Sequence, residues 1–221
     1  MINELETSLR TARARQDRAL KGLEQKHKGV DLEGLLAATE EVLRCERALS
    51  AAKGEEHAVP VEFPVQWDTG APLPHLMQND SRTFLVFFLR DTDSKPDASY
   101  ANVPEPNSSP GEKLALVEFR GCVSAKMGTP NDEVFEGHPL DGKGLRIYAA
   151  LKVENSKWIK ELEAINAVHS HYQPESWRTL THYFFGFHDS TFECVAEGFS
   201  VETYEIPLSE LLTEVCARLG K

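Results

Sequence analysis

The stretch Thr181–Glu197 constrains the fold most, because its apolar residues alternate with period two on both sides of a turn signal at Asp189-Ser190. Successive side chains of a strand point to opposite faces of a sheet, so this pattern predicts an antiparallel hairpin. One face of the hairpin is expected to be apolar and the other to carry titratable groups. The apolar face contains Tyr183, Phe185, Phe187, Phe192, Cys194 and Ala196.

The same pattern predicts a register for this hairpin. A turn at Asp189-Ser190 would pair Phe187 with Phe192, Phe185 with Cys194, and Tyr183 with Ala196. On the other face it would set His188 beside Thr191, Gly186 beside Glu193, and His182 beside Glu197. A slip of one residue would place Phe185 opposite Glu193, which a buried face would not accept.

Further strands are predicted at residues 83–89, 114–123, 145–153 and 199–204. The first is apolar on both faces, as in a strand covered on both sides. One helix is expected to begin after the N-cap Ser156 and another at Pro207. The expected fold class is therefore α+β: a curved, mainly antiparallel sheet with one inserted and one C-terminal helix, preceded by an N-terminal antiparallel helical hairpin.

The hairpin is predicted from apolar residues at helical spacing in residues 2–27 and 31–52. It divides the chain into a coiled-coil-like segment, 1–56, and an α+β domain, 57–221. Each helix has an apolar stripe that it cannot bury alone. Two interpretations remain open: the hairpin packs on its own domain, or it pairs with a second copy to form a homodimer through residues 1–56.

The charge balance excludes one class of partner. The net charge of −11 argues against general nucleic-acid binding, which needs a basic face to neutralise phosphates, although residues 1–30 carry a local +3. No apolar run is long enough for a membrane span, and the four cysteines form no CxxC pair. These features predict a cytoplasmic protein with reduced thiols.

The segment 91–111 is rich in proline and poor in apolar residues, so it is expected to be a long loop. It could be disordered, or it could be a lid over a site.

Histidines are the main candidates for chemistry, since five of the eight lie between positions 138 and 188. His188, His138 and Glu193 are the candidate catalytic residues. His182 and His188 are expected about 20 Å apart along one strand face, too far apart to share a metal. A divalent metal would therefore need His138, His188 and Asp132, the last from the loop 129–140, which could equally be a simple turn.

The polar face of the sheet is the candidate ligand site. If all strands shared one curved sheet, this face would line a concave pocket with aromatic walls and a few polar groups. The candidate ligand-binding residues are Arg120, Arg146, Tyr148, His182, Phe184, His188 and Thr191.

These observations favour a protein that binds a small molecule or a protein partner on this face and self-associates through the hairpin. The alternative is a hydrolase or lyase that uses the same histidines and carboxylates, with or without a metal. A third hypothesis is a purely structural partner-binding protein without a pocket.

Overall fold

The computed structural model describes residues 1–25, 32–90 and 113–221. It confirms the α+β class, with an N-terminal helical hairpin, antiparallel strands and a C-terminal helix. The strands form two sheets where one curved sheet was expected. The predicted loop 91–111 and the predicted N-cap Asp31 lie outside the described residues.

All pairs of neighbouring strands are antiparallel. The first sheet has the strand order β1 (His57–Pro60), β6 (Ala150–Glu154), β7 (Thr181–Gly186), β8 (Thr191–Ala196) and β5 (Ser124–Gly128). The second sheet has the order β2 (His75–Gln78), β3 (Thr83–Phe88), β4 (Lys113–Arg120) and β9 (Gly198–Glu205).

The helices lie around these sheets. They are α1 (Ile2–Gln25), α2 (Leu32–Lys53), α3 (Lys157–Asn166), α4 (Pro174–Trp177), α5 (Leu208–Leu219) and a short 3-10 helix at Asp132–Gly137. Ser156 is the N-cap of α3, as predicted, and Pro207 precedes α5. None of the helices among the described residues is long and apolar enough to cross a membrane.

The main core is aromatic and lies between the two sheets. The first sheet supplies the predicted apolar face of the hairpin, and the second supplies alternate residues of β3 and β4. Phe185, at its centre, contacts Phe63, Trp67 and Phe119 at ring-centroid distances of 5.1 to 5.8 Å. The predicted inward face of the hairpin is therefore confirmed.

The predicted register of the hairpin is wrong by two residues. Phe185 pairs with Phe192 and Tyr183 with Cys194. The N–H of Phe187 donates to the carbonyl of Ser190 at 2.9 Å, so the turn lies at His188-Asp189, one residue earlier than expected. A shift of two residues keeps every side chain on its face, which is why the apolar pattern could not exclude it.

Strand β3 is buried along its whole length, as its apolar sequence predicted. Leu85 and Phe87 point into the core between the sheets. Phe84, Val86 and Phe88 point the other way and pack with Leu208, Leu211 and Val215 of α5. Helix α5 therefore covers the outer face of the second sheet.

Strand β6 begins five residues later than predicted, at Ala150. The preceding residues form turns, with φ of +81° at Gly144 and +55° at Tyr148. Arg146 and Tyr148 consequently do not lie on a strand face.

Helix α2 packs against β1, the edge strand of the first sheet. Arg47 Nε donates to the carbonyl of Ala58 at 3.1 Å, and buried Glu46 accepts the N–H of Gly144 at 3.2 Å. The hairpin thus caps its own domain, one of the two interpretations above. Leu32 and Leu36, assigned to the apolar stripe of α2, are exposed, and the homodimer stays a prediction.

Candidate functional site

The outer face of the first sheet carries two groups of polar side chains. We call Lys126, His138, His182 and Glu193 the Glu193 cluster, and Asp132, Tyr148 and His188 the His188 cluster. The first lies over β5, β7 and β8. The second lies where the turn after β7 meets the 3-10 helix.

Glu193 is the centre of the buried group, flanked in register by Phe184 on β7 and Lys126 on β5. Its Oε1 accepts a hydrogen from Lys126 Nζ at 2.9 Å. Its Oε2 lies 2.8 Å from His182 Nε2. Both carboxylate oxygens therefore have partners, and the side chain is only 8% exposed.

His182 connects this carboxylate to helix α3. Its Nδ1 lies 2.9 Å from Ser156 Oγ, and the same Oγ accepts the N–H of Ile159 at 3.2 Å. An ionised Glu193 requires the proton on His182 Nε2, so Ser156 donates its hydroxyl hydrogen to Nδ1. Serine, histidine and carboxylate are in contact, but Ser156 is buried and its oxygen is occupied as a helix cap, so the arrangement does not present a nucleophile.

His138 closes the cluster from the segment that crosses the sheet. Its Nδ1 accepts the N–H of Leu140 at 3.2 Å, which leaves the proton on Nε2. Nε2 points towards Glu193 Oε1 at 3.7 Å, longer than an ordinary hydrogen bond. The ring packs edge-on against Phe184, with centroids 5.2 Å apart.

Trp158 of α3 covers the remaining side. The Lys126 ammonium lies 4.6 Å from its ring centroid, and the His182 ring meets it edge-on at 5.0 Å. Burial disfavours ionisation of Glu193, yet interactions with His138, His182 and Lys126 hold its pKa well below the ordinary value. The Glu193 cluster is therefore an internally neutralised ion cluster whose hydrogen-bonding groups are used within the fold.

The His188 cluster is more open. Asp132 Oδ2 accepts the hydroxyl hydrogen of Tyr148 at 2.8 Å and lies 2.9 Å from His188 Nδ1. The Tyr148 and His188 rings are stacked, with an interplanar angle of 15°. The His188 side chain is 41% exposed, and its Nε2 is 3.9 Å from Asp189 Oδ1, beyond hydrogen-bond range.

Backbone contacts hold this second cluster in place. The N–H of Asp132 donates to the carbonyl of His188, and the N–H of Tyr148 donates to the carbonyl of Gly186, both at 3.0 Å. Tyr148 adopts a φ of +55°, a region that a bulky residue rarely occupies. A Cβ at Gly186 would lie 3.3 Å from the Cα of Ile147, so glycine permits the close approach.

The electrostatics of the His188 cluster define its protonation. Hydrogen bonding from Tyr148, supported by the contact with His188, lowers the pKa of Asp132 despite some desolvation. Burial and the Asp132 carboxylate raise the pKa of Tyr148 to about 12. Asp132 is therefore ionised and accepts both bonds, so His188 carries a proton on Nδ1 and presents Nε2 outwards.

The structure brings the predicted residues together in two groups: Asp132 and Tyr148 lie against His188, and His182 and His138 lie beside Glu193. It separates others. Arg120 belongs to the second sheet, so the polar faces do not share the one curved sheet that the predicted pocket required. Arg146 instead forms an ion pair with Glu40 of α2.

Three of the predicted ligand-binding residues, His182, Phe184 and Thr191, are buried. Phe184 is fully buried under Leu140, Leu145 and Leu151, and Thr191 is buried at the end of β8. The expected concave pocket is thus closed over this part of the sheet. Within residues 1–25, 32–90 and 113–221, no group of three His, Cys, Asp or Glu side chains is arranged to hold a metal ion. The metal site formed by His138, His188 and Asp132 therefore has no support from the geometry.

Sequence reasoning missed Lys126 and Trp158 as members of the buried cluster and recognised Ser156 only as a cap. Lys126 lies on β5, a strand that was not predicted, and only strand pairing brings it beside Glu193. A cavity of about 400 Å³ lies at the second sheet, lined by Leu89, Lys113, Thr203, Tyr204 and Glu205. It contains none of the predicted site residues.

Comparisons with protein-family models, with curated proteins and with solved structures found no match to this chain. The geometry of the two clusters is therefore the basis on which a function can be argued.

Proposed function

We propose that the protein is a binding protein whose ligand contacts Nε2 of His188. The observation that supports this proposal is the Asp132–His188 pair, in which Nδ1 is held at 2.9 Å while the side chain stays 41% exposed. A fixed ring with one accessible nitrogen can form a directional hydrogen bond without first losing rotational freedom. The Glu193 cluster offers no comparable group, because its two histidines are buried and its lysine is held by Glu193 and Trp158.

The surroundings of His188 indicate the class of ligand. Asp132, Asp189 and the exposed Glu133 make this corner acidic, and Val134 is 58% exposed beside them. An anion would be repelled there, whereas a protonated amine or a neutral hydrogen-bond donor would be attracted. The ligand is therefore a small molecule, or a group on a protein partner, that donates an N–H or O–H to Nε2 and carries an apolar part.

The test is a titration of the uniformly ¹⁵N-labelled protein, observed through its histidine side-chain resonances. Benzylamine and N-methylacetamide serve as donor probes, and acetate serves as the anionic control. We expect the donor probes to shift the His188 resonances and acetate to leave them unchanged. The accompanying shifts of the Asp132 and Tyr148 backbone amides should vanish in His188→Gln and persist in His171→Gln, a matched change at an exposed histidine. Equal responses in both variants, or no response of His188 to either donor probe, would refute the proposal.

A hydrolase is the second candidate, favoured by the same free nitrogen. A carboxylate that orients a histidine leaves the second ring nitrogen able to take a proton from an attacking water. A chromogenic ester such as 4-nitrophenyl acetate is a suitable probe. On this hypothesis His188→Gln should lower the hydrolysis rate roughly 100-fold or more, the range of general-base effects. Equal rates for wild type, His188→Gln and His171→Gln would leave only the binding proposal.

A further inference from the structure

The turn after β7 places two hydrogen-bond acceptors close together at the exposed side of the His188 cluster. They are Nε2 of His188 and the carboxylate of the next residue, Asp189, whose Oδ1 lies 3.9 Å from Nε2. At this separation the two atoms are not bonded to each other, yet one small group can contact both. The side chains are 41% and 79% exposed, so a ligand can reach both acceptors from solvent.

The backbone and the Asp132 side chain fix the position of this pair. The N–H of Phe187 donates to the carbonyl of Ser190 at 2.9 Å and closes the turn around His188 and Asp189. The carbonyl of His188 accepts the N–H of Asp132 at 3.0 Å. Asp132 Oδ2 also lies 2.9 Å from Nδ1 of the ring. The histidine acceptor is therefore held in place before a ligand arrives.

The protons of the cluster leave the pair without a donor. The ionised Asp132 accepts hydrogen bonds, so a neutral His188 carries its proton on Nδ1 and has a lone pair on Nε2. The Asp189 carboxylate accepts no hydrogen bond from the residues that the structure describes. Besides Asp189, the titratable groups that contact the ring are Asp132 and the hydroxyl of Tyr148. The site therefore combines two free acceptors with a negative charge.

We propose that the His188–Asp189 pair binds a primary ammonium group. This inference rests on the proposed function and narrows its ligand from any N–H or O–H donor to one class. A nitrogen about 2.9 Å from both acceptors sees them at an angle of about 85°, so two tetrahedral N–H bonds reach them with a bend of about 12° each. The carboxylates of Asp132 and Asp189 attract its positive charge.

Related ligands lack one of these features. A tertiary ammonium group has the same charge but a single N–H, so it can donate to only one of the two acceptors. A neutral alcohol or secondary amide has one donor hydrogen and no charge. An anion is repelled by both carboxylates. The pair should therefore distinguish ligands by their number of N–H bonds as well as by their charge.

The experiment compares benzylamine with N,N-dimethylbenzylamine at about pH 8, where aliphatic amines are protonated and histidine is neutral. The backbone amide shifts of Asp132 and Tyr148 in the full ¹⁵N-labelled chain report the two dissociation constants. Both amines carry one positive charge, so the ratio of the constants reports the second hydrogen bond. We expect benzylamine to bind about tenfold more tightly, the effect of one hydrogen bond.

Two exposed carboxylates provide matched variants. Asp189→Ala removes the second acceptor and should reduce the ratio to about one. Glu133→Ala removes an equal charge from the same corner and should keep the ratio, even where both amines bind more weakly. A preference for benzylamine that survives in Asp189→Ala, or that is lost equally in Glu133→Ala, would overturn the proposal.

The outcomes separate this inference from the proposed function. Equal affinities of the wild type for the two amines would overturn the ammonium site and leave His188 as a binding residue. A response to N-methylacetamide but to neither amine would do the same. No response to any of the three probes would overturn both proposals.

A primary ammonium group can belong to a small amine or to a lysine side chain. Nα-acetyl-lysine methylamide and its Nε-dimethylated form therefore repeat the comparison with a peptide-like probe. A preference for the primary ammonium supports the proposal in either pair, and the probe that binds more tightly identifies the source. The absence of this preference in both pairs would overturn the proposal.

Discussion

The two polar clusters combine the same residue types on the same side of the first sheet, yet they differ in burial. In the Glu193 cluster the carboxylate is 8% and His182 5% exposed, while in the His188 cluster Asp132 is 26% and His188 41% exposed. Both pair a histidine with a carboxylate at 2.8 to 2.9 Å. The histidine–carboxylate distance therefore does not distinguish a structural cluster from a candidate site.

The difference lies in what surrounds each pair. Segment 135–145 and helix α3 cover the histidines of the Glu193 cluster and keep water away from them. A hydrogen bond that is lost there cannot be replaced by one to water. The turn at His188-Asp189 leaves one edge of His188 facing solvent. Substitutions in the Glu193 cluster should lower the free energy of unfolding, whereas substitutions in the His188 cluster should weaken ligand binding.

The largest expected effect is that of Glu193→Ala. This change leaves Lys126, His138 and His182 without their common acceptor in a buried site. We expect a loss of about 2–3 kcal/mol in the free energy of unfolding, because the buried His138 and His182 lose their acceptor while the half-exposed Lys126 stays hydrated. Urea denaturation measures it, with the exposed Glu197→Ala as the matched control. A loss below about 1 kcal/mol would show that the cluster is not structural.

The pH dependence of stability separates the clusters in a second way. The pKa of Glu193 is lower in the folded protein than its ordinary value of 4.5, so its contribution is fully present above pH 4.5 and is lost as the pH falls towards the folded pKa. Glu193→Gln should therefore be less stable than the wild type at pH 7, and the difference should shrink below pH 4.5. Urea denaturation across this range measures the difference, and a constant value would contradict the lowered pKa.

Ser156→Ala should have an intermediate effect, since it removes both the α3 cap and the hydrogen bond to His182. We expect a loss of about 1–2 kcal/mol in the free energy of unfolding. Ser209→Ala, at an exposed position in the first turn of α5, is the control and should change stability by less than about 0.5 kcal/mol. Equal losses in the two variants would show that neither the cap nor the bond to His182 stabilises the fold.

The smallest expected effect on stability is that of His188→Ala. The exposed ion pair with Asp132 contributes little to folding, so the change should be within about 0.5–1 kcal/mol. Thermal unfolding measures this, with His182→Ala as the comparison, which should be clearly more destabilising. A similar loss in both variants would assign His188 a structural role and remove the main support for the binding site.

The sequence predicted which face of the sheet each side chain lies on, but not which residue it pairs with on the neighbouring strand. Alternation placed Phe185 and Phe187 inward because successive Cβ atoms point to opposite faces whatever the pairing. It could not distinguish registers two residues apart, and so the turn was misplaced by one residue. The same limitation placed Glu193 beside Gly186 instead of Phe184.

The candidate site was predicted in part. His188, Asp132 and Tyr148 were each named from the sequence, but Tyr148 was expected on a strand and Asp132 in a metal site. Their actual arrangement depends on the left-handed backbone of Tyr148 and on the hydrogen bond from Asp132 to the turn after β7. Neither feature follows from the local sequence pattern, because each depends on contacts between segments that are distant in the chain.

By itself the sequence determined the α+β class, the helical hairpin, the doubly covered strand β3 and the cap at Ser156, because each depends on periodicity or on chemistry within a few residues. Only the tertiary structure decided that the strands form two sheets, that Glu193 is buried and that His188 is open. Burial depends on which segments cross a face, and here residues 135–145 and helix α3, which lie outside the covered strands, cross it. That is why the same histidine and carboxylate side chains hold the fold together at one position and remain accessible at the other.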